Sequence, residues 1–231
     1  TSGPYQERWD FFLEELRRLE PQILCLQEVW GEGLPEQIKK NLNTKYFAAS
    51  YEPGLVILTQ YPILSQRISQ YKVRSAVENY DRRLLIVRLK IGAQKLTIAN
   101  THWSWKPEDS ETRSRQAEEM LQAIEEMSGP ALLAGDFNDV PESPAIQKIK
   151  RAGYQDLFQL IHPAERGLTW DNTHPFVQTH EVKLPDRRID FLFLDRTFLR
   201  AHPVDTCAGV FNRPSAHGIY RDRAMANGDL P

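Results

Sequence analysis

The chain has 231 residues with a formal net charge of −2 at pH 7, and its sequence pI is about 6.3. This charge balance excludes an overall basic field, so any attraction for a polyanion must come from a local basic patch or a bound cation. An apolar content of 41% is enough for a substantial core, and the two cysteines, Cys25 and Cys207, lie too far apart in sequence to suggest a disulfide scaffold.

The first half of the chain reads as strands with a few short helices. From Trp9 to Leu19, apolar side chains recur at intervals of three and four residues, which predicts an amphipathic helix. Short apolar runs rich in β-branched residues predict the strands that follow. The predicted elements in this half are a helix over 9–19, strands at 23–28 and 54–59 separated by a short helix at 36–43, and further strands at 64–73, 83–91 and 94–101.

The second half begins with the clearest helix, predicted over residues 109–127. A buried strand at 131–136 and a short helix at 143–152 follow it. Residues 161–187 show little periodicity and predict a long surface loop, after which a strand is predicted at 188–194. Strands in series with helices between them favour two sheets packed face to face, with helices outside.

Hydrophilic side chains interrupt four of the predicted strands at or near their ends. These residues are Glu28, the run from Asn100 to His102, Asp136 with Asn138, and Asp190. Buried carboxylates are costly unless they are paired or bound to a cation, so several at strand ends indicate one shared site. Hard divalent cations such as Mg²⁺ prefer oxygen ligands and take only one or two protein carboxylates, which fits this set.

Each of these motifs also has an ordinary structural interpretation when taken alone. Glu28 would then mark a solvated strand end, and residues 135–138 (GDFN) would form a tight turn with an Asx hydrogen bond. His102 would be a packed or surface histidine, and Asp190 would pair with Arg187 or Arg188.

Taken in chain order, the segments resemble the motif series of the endonuclease/exonuclease/phosphatase (DNase I-like) family. The segments are ILCLQEVW, GLVILTQYPI, NTHWSW, LLAGDFNDVPES, TWDN, RRIDFLFL and PSAHG, and they span residues 9 to about 219. In general pattern the chain is most similar to uncharacterised bacterial members. The resemblance implies a single domain over 1–231, an α/β fold of the four-layered sandwich type, and in-line hydrolysis of phosphoesters with Mg²⁺, or Mn²⁺ as a substitute.

The resemblance also implies roles for individual residues of the catalytic centre. Glu28, in the QE motif, would be a direct metal ligand. His102, in the TH motif, would contact the scissile phosphate and stabilise developing charge. Asp136 and Asn138, in the GDxN motif, would orient the attacking water and hold phosphate oxygens.

The remaining implied roles concern proton transfer and substrate binding. Asp190, in the RIDF motif, would hydrogen-bond His217 and hold its ring in the tautomer that accepts a proton from water. Trp170 and Asn172 belong to LTWDN, which is similar to a substrate-loop motif in many bacterial members and in the tyrosyl-DNA phosphodiesterase branch. Trp170 would stack on a base or cover a sugar or lipid group, although packing on the sheet is an equal alternative, and Arg188 would contact phosphate.

Two departures from the family pattern bear on activity. Members usually begin with a strand that carries an asparagine facing the metal, so the resemblance implies that this chain lacks the first strand. The final motif is normally SDH, whereas this chain has Ser215, Ala216 and His217, followed by a polar and atypical C-terminal segment. Natural divergence, a deliberate Asp-to-Ala change at 216 and a gene fragment all remain open as explanations.

The expected partner is a phosphoester substrate: a nucleic acid, a phospholipid head group or a small phosphate ester. A catalytically impaired relative that only binds a phosphorylated ligand is the alternative function. No apolar run approaches the roughly 20 residues needed to cross a bilayer. We therefore expect a soluble monomer without a membrane span, and the cytoplasm is the favoured compartment.

Overall fold

A computed structural model of the protein describes residues 5–31, 33–42, 47–51, 54–173, 177 and 183–202. Six α-helices have both ends inside the described residues: α1 Tyr5–Leu19, α2 Leu34–Lys40, α3 Ser110–Glu125, α4 Pro144–Arg151, α5 Leu157–Ile161 and α6 Arg196–Ala201. The strands are β1 Ile23–Val29, β2 Phe47–Tyr51, β3 Gly54–Thr59, β4 Ile63–Gln70, β5 Arg83–Ile91, β6 Gln94–His102, β7 Ala131–Asp136, β8 Tyr154–Asp156 and β9 Asp190–Asp195.

The strands form two sheets. The smaller sheet has the order β1-β3-β2 and is antiparallel. The larger sheet has the order β4-β5-β6-β7-β9-β8, in which β6 and β7 run parallel and the other neighbours run antiparallel. A parallel pair needs a crossover connection, and α3 provides it between β6 and β7.

Alternation along β5 explains how the layers are held together. Leu85 and Val87 point into the core between the two sheets, where they meet Ile57 of β3. Leu84 and Ile86 point to the opposite face and share a core with α3 and α4. A third core joins α1 and α2 to the outer face of the small sheet. The resulting helix, sheet, sheet, helix order confirms the predicted four-layered α/β sandwich.

Most predicted elements are confirmed with small shifts at their ends, but four short ones were missed. These are β2, β8, α5 and α6, of three to six residues each. Elements this short carry too few residues to show a period. Across the described residues, no helix is both long enough and apolar enough to cross a membrane.

Candidate active site

Three of the predicted catalytic side chains lie on neighbouring strands of the large sheet. Asp136 ends β7, where it is in register with His102 of β6 on one side and with Asp190 of β9 on the other. The His102 Nε2 and Asp136 Oδ2 atoms are 3.6 Å apart. Strand pairing therefore brings the TH, GDxN and RIDF motifs to one edge of the sheet.

Close backbone contact between β6 and β7 fixes the spacing of this edge. Gly135 precedes Asp136 and has a φ of 150°. A Cβ atom built at this position would collide with the carbonyl oxygen of Thr101. Only glycine allows the two strands to approach this closely, so Gly135 sets the position of the neighbouring carboxylate.

The small sheet contributes Glu28. The register of β1 against β3 shifts between Leu26 and Val29, and Glu28 within this bulge has a left-handed φ of 57°. Bulges of this kind redirect a side chain out of the ladder. Glu28 raises the pKa of both Asp136 and Asp190, which places its charge within electrostatic range of both. Carboxylates from both sheets thus converge.

Asn100 ties the two sheets together next to this cluster. Its side-chain nitrogen donates to the Leu26 carbonyl oxygen at 2.8 Å and to the Val56 carbonyl oxygen at 3.0 Å. Its side-chain oxygen accepts from Gln27 Nε2 at 2.6 Å. Asn100 is fully buried with these partners, and its role is to hold the small sheet against the large one.

The GDFN turn combines its ordinary structural role with a place in the site. The Asn138 backbone N–H donates to Asp136 Oδ1 at 2.8 Å, which is the expected Asx hydrogen bond. The Asn138 side-chain nitrogen donates to the Trp103 carbonyl oxygen at 3.0 Å. Phe137 between them is fully buried, with its ring edge-on to those of Trp103 and Phe193. This aromatic anchor holds the two polar residues at the rim.

Burial and mutual repulsion raise the pKa values of the carboxyl groups. The pKa of Asp136 lies well above its ordinary value because of burial, then because of Asp190 and Glu28. Burial raises the pKa of Asp190 to about 6; a hydrogen bond with Thr169 opposes this and Glu28 adds to it. The ionised forms of these acids therefore repel one another unless a positive charge lies among them.

His102 is held in its neutral form. Burial and, to a smaller extent, the Arg82 guanidinium together lower its pKa to about 3. Arg82 is itself fixed by a buried ion pair with Glu78, at 2.9 Å between Nε and Oε2. Glu78 in turn accepts from the Trp105 backbone N–H at 2.7 Å. The histidine can therefore donate a hydrogen bond near neutral pH but does not carry charge there.

The donor chemistry of the cluster suits a hard divalent cation. Glu28, Asp136 and Asp190 offer only oxygen atoms, and a cation would lower the raised pKa values of Asp136 and Asp190. Among the described residues, no three His, Cys, Asp or Glu side chains form a group that could hold a metal ion by themselves. Mg²⁺ keeps several waters and substrate oxygens and needs only one or two protein carboxylates, so the two observations agree.

Comparison with known proteins assigns the family. The model of the Endonuclease/Exonuclease/phosphatase family matches residues 10–223. The chain belongs to this family. The edge at which its carboxylates meet is thus formed by the motifs that carried the resemblance in sequence.

Relatives of this family member include the angel proteins. Protein angel of Drosophila melanogaster is 29% identical over 163 residues, which cover 62% of the chain and 46% of that protein. Protein angel homolog 2 of Danio rerio is 26% identical over 169 residues, which cover 63% of the chain and 30% of that protein. The chain thus spans less than half the length of these two relatives.

Solved structures share the fold of this family member. The structure of D. rerio TDP2 complexed with single strand DNA product has a TM-score of 0.71 at 20% identity, and the match covers 93% of this chain and 87% of that one. ANGEL2, described as a 2′,3′-cyclic phosphatase and solved with adenosine-2′,3′-vanadate, has a TM-score of 0.57 at 17% identity, covering 83% and 75%. At these identities the likeness concerns the fold.

The motif loop of this family member places Trp170 beside Arg187. The two residues exchange backbone hydrogen bonds of 2.9 Å, and the Arg187 guanidinium lies 5.9 Å from the centroid of the Trp170 ring. Asn172 donates to Asp186 Oδ1 and to the Leu184 carbonyl oxygen at 2.8 and 2.7 Å. These bonds brace the loop, and the roles of Trp170 and Asn172 in substrate binding remain predictions.

Arg188 does not occupy the position expected of a phosphate contact. It is 5% exposed, and its Nη1 and Nη2 atoms donate to the two carboxylate oxygens of Asp156 at 3.0 and 2.7 Å. Its guanidinium also lies over the Phe191 ring at 4.3 Å. The arrangement is that of a structural ion pair, which corrects the sequence-based expectation.

Arg187, one residue earlier, carries a guanidinium that lies near Asp136. Burial lowers its pKa, while the charge of Asp136 opposes this shift. Its Nε atom is buried without a hydrogen-bond partner among the described residues. Sequence reasoning chose Arg188 as the phosphate contact, whereas Arg187 is the member of the pair that lies near Asp136, because strand alternation alone does not say which side chain faces the site. His217 lies outside the described residues.

Proposed function

We propose that the chain is a divalent-metal-dependent hydrolase of nucleotide phosphoesters, using water as the nucleophile. The observation that carries this proposal is the convergence of Glu28, Asp136 and Asp190 from two sheets beside a neutral His102. Membership in the family supports the same chemistry, because family members include phosphodiesterases and phosphatases.

Glu28 would be the direct ligand of the cation, with Asp136 and Asp190 in range of its charge. When bound, Mg²⁺ or Mn²⁺ would neutralise phosphate charge and polarise the scissile ester. Relief of the repulsion among the three carboxylates supports this assignment.

Two side chains would bind the phosphate itself. The His102 Nε2 atom lies 3.6 Å from Asp136 Oδ2, which is beyond hydrogen-bond distance, so an N–H there remains available to a phosphate oxygen. Arg187 adds a guanidinium, which suits the spread negative charge of a phosphate better than a point charge does. Both would stabilise the charge that develops as the ester bond breaks.

The remaining predicted residues would position the attacking water and accept its proton. Asp136 and Asn138 would orient the attacking water, whose oxygen forms the new bond to phosphorus as the ester bond on the opposite side breaks. The water proton would pass to the His217 and Asp190 pair. The Asp190 carboxyl, with a pKa of about 6, suits a pair that accepts a proton near neutral pH. General base catalysis of this kind typically increases the rate by about 10² to 10⁴.

The compounds bound in similar structures favour nucleotides as the substrate class. The TDP2 structure contains a single strand DNA product, and the ANGEL2 structure contains adenosine-2′,3′-vanadate. A nucleic acid or nucleotide is therefore favoured over a phospholipid head group or a sugar phosphate.

Hydrolysis of bis-p-nitrophenyl phosphate tests the proposal. We expect turnover with Mg²⁺ that a chelator abolishes and that Asp136→Asn reduces by at least about 100-fold. Ala216→Asp should increase the rate, because it restores the carboxylate of the SDH motif. A folded protein with no chelator-sensitive turnover, before and after that change, would contradict the hydrolase and favour a binder of a phosphorylated ligand or a damaged fragment.

A further inference from the structure

A cavity of about 390 Å³ lies directly beside the acid cluster. His102 belongs to both, so a group bound in the cavity would lie next to a phosphate held at the acids. The other lining residues that matter here are Trp30, Tyr80, Arg82 and Arg83, together with the apolar Leu55. The volume is within the range of ordinary small-molecule sites.

Tyr80 forms one aromatic side of the cavity. The Arg82 guanidinium lies 4.5 Å from the centroid of its ring and covers one face. Arg82 is held there by its buried ion pair with Glu78, so the ring has a fixed support. Tyr80 nevertheless keeps 47% of its surface exposed, which leaves aromatic surface open for a ligand.

Trp30 forms a second aromatic side. It follows Glu28 by two residues, and its backbone N–H donates to the Glu28 carbonyl oxygen at 3.0 Å. Its six-membered ring packs against Gly54, where an added Cβ would lie 3.3 Å from the ring. The side chain is still 54% exposed. With Tyr80, Trp30 gives this cavity two exposed aromatic side chains, and clustered exposed apolar surface is typical of a ligand-binding site.

We propose that this cavity binds an unpaired nucleobase next to the scissile phosphate, stacked on Trp30 and Tyr80. The inference rests on the proposed function and narrows its substrate to nucleotides with an accessible base. Aromatic faces with neighbouring guanidinium groups attract the π-faces of bases. An inositol or sugar group would instead turn hydroxyl groups towards the ring faces of Trp30 and Tyr80, which offer them no hydrogen-bond partner.

The base must be unpaired because a base that remains in a duplex has both of its faces covered by its stacked neighbours, so it cannot stack on Trp30 or Tyr80. Single-stranded segments, ends and loops offer such bases without the cost of extrusion. Stacking is largely indifferent to base identity, so we expect little discrimination among the four bases.

The test compares the dinucleotide d(TpT) with two analogues, each lacking one of the two bases, with cleavage followed by chromatography in Mg²⁺. We expect kcat/KM to be higher for d(TpT) than for at least one analogue by about 5- to 100-fold, the range that base stacking supplies. Trp30→Leu and Tyr80→Leu should lower kcat/KM for d(TpT) towards that analogue and leave the analogue itself little changed. Trp30→Phe and Tyr80→Phe should retain most of the preference.

The possible failures are distinguishable. Equal kcat/KM values for d(TpT) and both analogues would overturn the base-binding cavity while leaving the hydrolase intact. The same holds if the leucine variants, checked for folding by thermal melting, slow all three substrates equally. If bis-p-nitrophenyl phosphate and all three dinucleotides resist chelator-sensitive cleavage, the proposed function itself is wrong.

Discussion

Adjacent arginines on the same segment have opposite environments. Arg188 is locked in a buried pair with Asp156, whereas Arg187 lies half-buried near Asp136 and over Trp170. Successive side chains of an extended segment point to opposite sides, so one of the pair stabilises the fold and the other faces the site.

Exchanging each arginine separately tests this division. Arg188→Met removes both short hydrogen bonds of the buried Asp156 ion pair and leaves that carboxylate with the Lys150 ammonium at 3.9 Å and the Gln159 backbone N–H at 3.2 Å, so it should destabilise the protein by about 3 kcal/mol. Arg187→Gln should lower kcat/KM by at least about 10-fold with little change in stability. Thermal melts and bis-p-nitrophenyl phosphate kinetics of both variants measure the two effects. The opposite pattern would return the phosphate contact to Arg188.

In metal-free protein, the ionised Asp190 carboxyl should lower the free energy of unfolding at neutral pH. Its pKa rises from 3.8 in the unfolded chain to about 6 in the fold. The folded state therefore binds more protons between these values, and stability falls as pH rises through that window. Asp190→Asn should stabilise the chelator-treated protein by about 3 kcal/mol at pH 7, the free energy that corresponds to this pKa shift, and by nothing below pH of about 4, while reducing activity. Denaturant titrations at both pH values check this, and an equal effect at each would contradict it.

At the scale of elements, the site depends on how β1 and β3 dock onto β6. Asn100 of β6 makes this connection through the carbonyl oxygens of Leu26 and Val56 and the side chain of Gln27. Because Glu28 belongs to the same strand as Leu26 and Gln27, this connection also fixes the distance between the acids of the two sheets.

Replacing Asn100 with alanine should loosen the two sheets. The change removes the hydrogen-bond donor of two buried carbonyl oxygens. We therefore expect the free energy of unfolding to fall by at least about 2 kcal/mol and Tm to fall by about 4–8 °C. Gln27→Ala removes only one hydrogen bond and should cost about 1 kcal/mol. Thermal melts of both variants provide the comparison. Equal Tm values for Asn100→Ala and the parent chain would show that the two sheets are held by other contacts.

The long elements were predicted well from the sequence because the spacing of their apolar residues shows which face of each element is buried. The strand at 131–136 and the helix α3 are examples, and both were found within a few residues of their predicted bounds. The strands β2 and β8 were missed because pairing with β3 and β9, and not local pattern, makes them strands. In the site, motif order predicted that Glu28, Asp136 and Asp190 converge. The role of Arg82 beside His102 depends on a tertiary contact, so motif order could not reveal it.

At the scale of the whole molecule, two sheets are pressed together with several negative charges at their shared edge. Like charges in register on neighbouring strands destabilise a sheet, and Asp136 and Asp190 stand in register here. Any ligand that binds only the folded state and supplies positive charge must then stabilise the protein.

Mg²⁺ should therefore raise the melting temperature relative to chelator. The gain should be larger at pH 7 than at pH 5, because the pKa of Asp136 is well above its ordinary value and protons compete with the cation at low pH. Melts at two pH values with Mg²⁺, with chelator and with the Asp136→Asn variant measure the effect. A gain in Tm that the variant leaves unchanged would place the cation elsewhere.

The close approach of β6 and β7 at Gly135 restricts what mutation can do there. No side chain fits between its Cα atom and the Thr101 carbonyl oxygen, and its φ of 150° is also unfavourable for other residues. A saturation library at this codon, selected for folded and active protein, should therefore return glycine alone, while the next codon tolerates asparagine for folding but not for turnover. Substitutions at Gly135 would thus test the packing of the two strands, whereas substitutions at Asp136 would test catalysis.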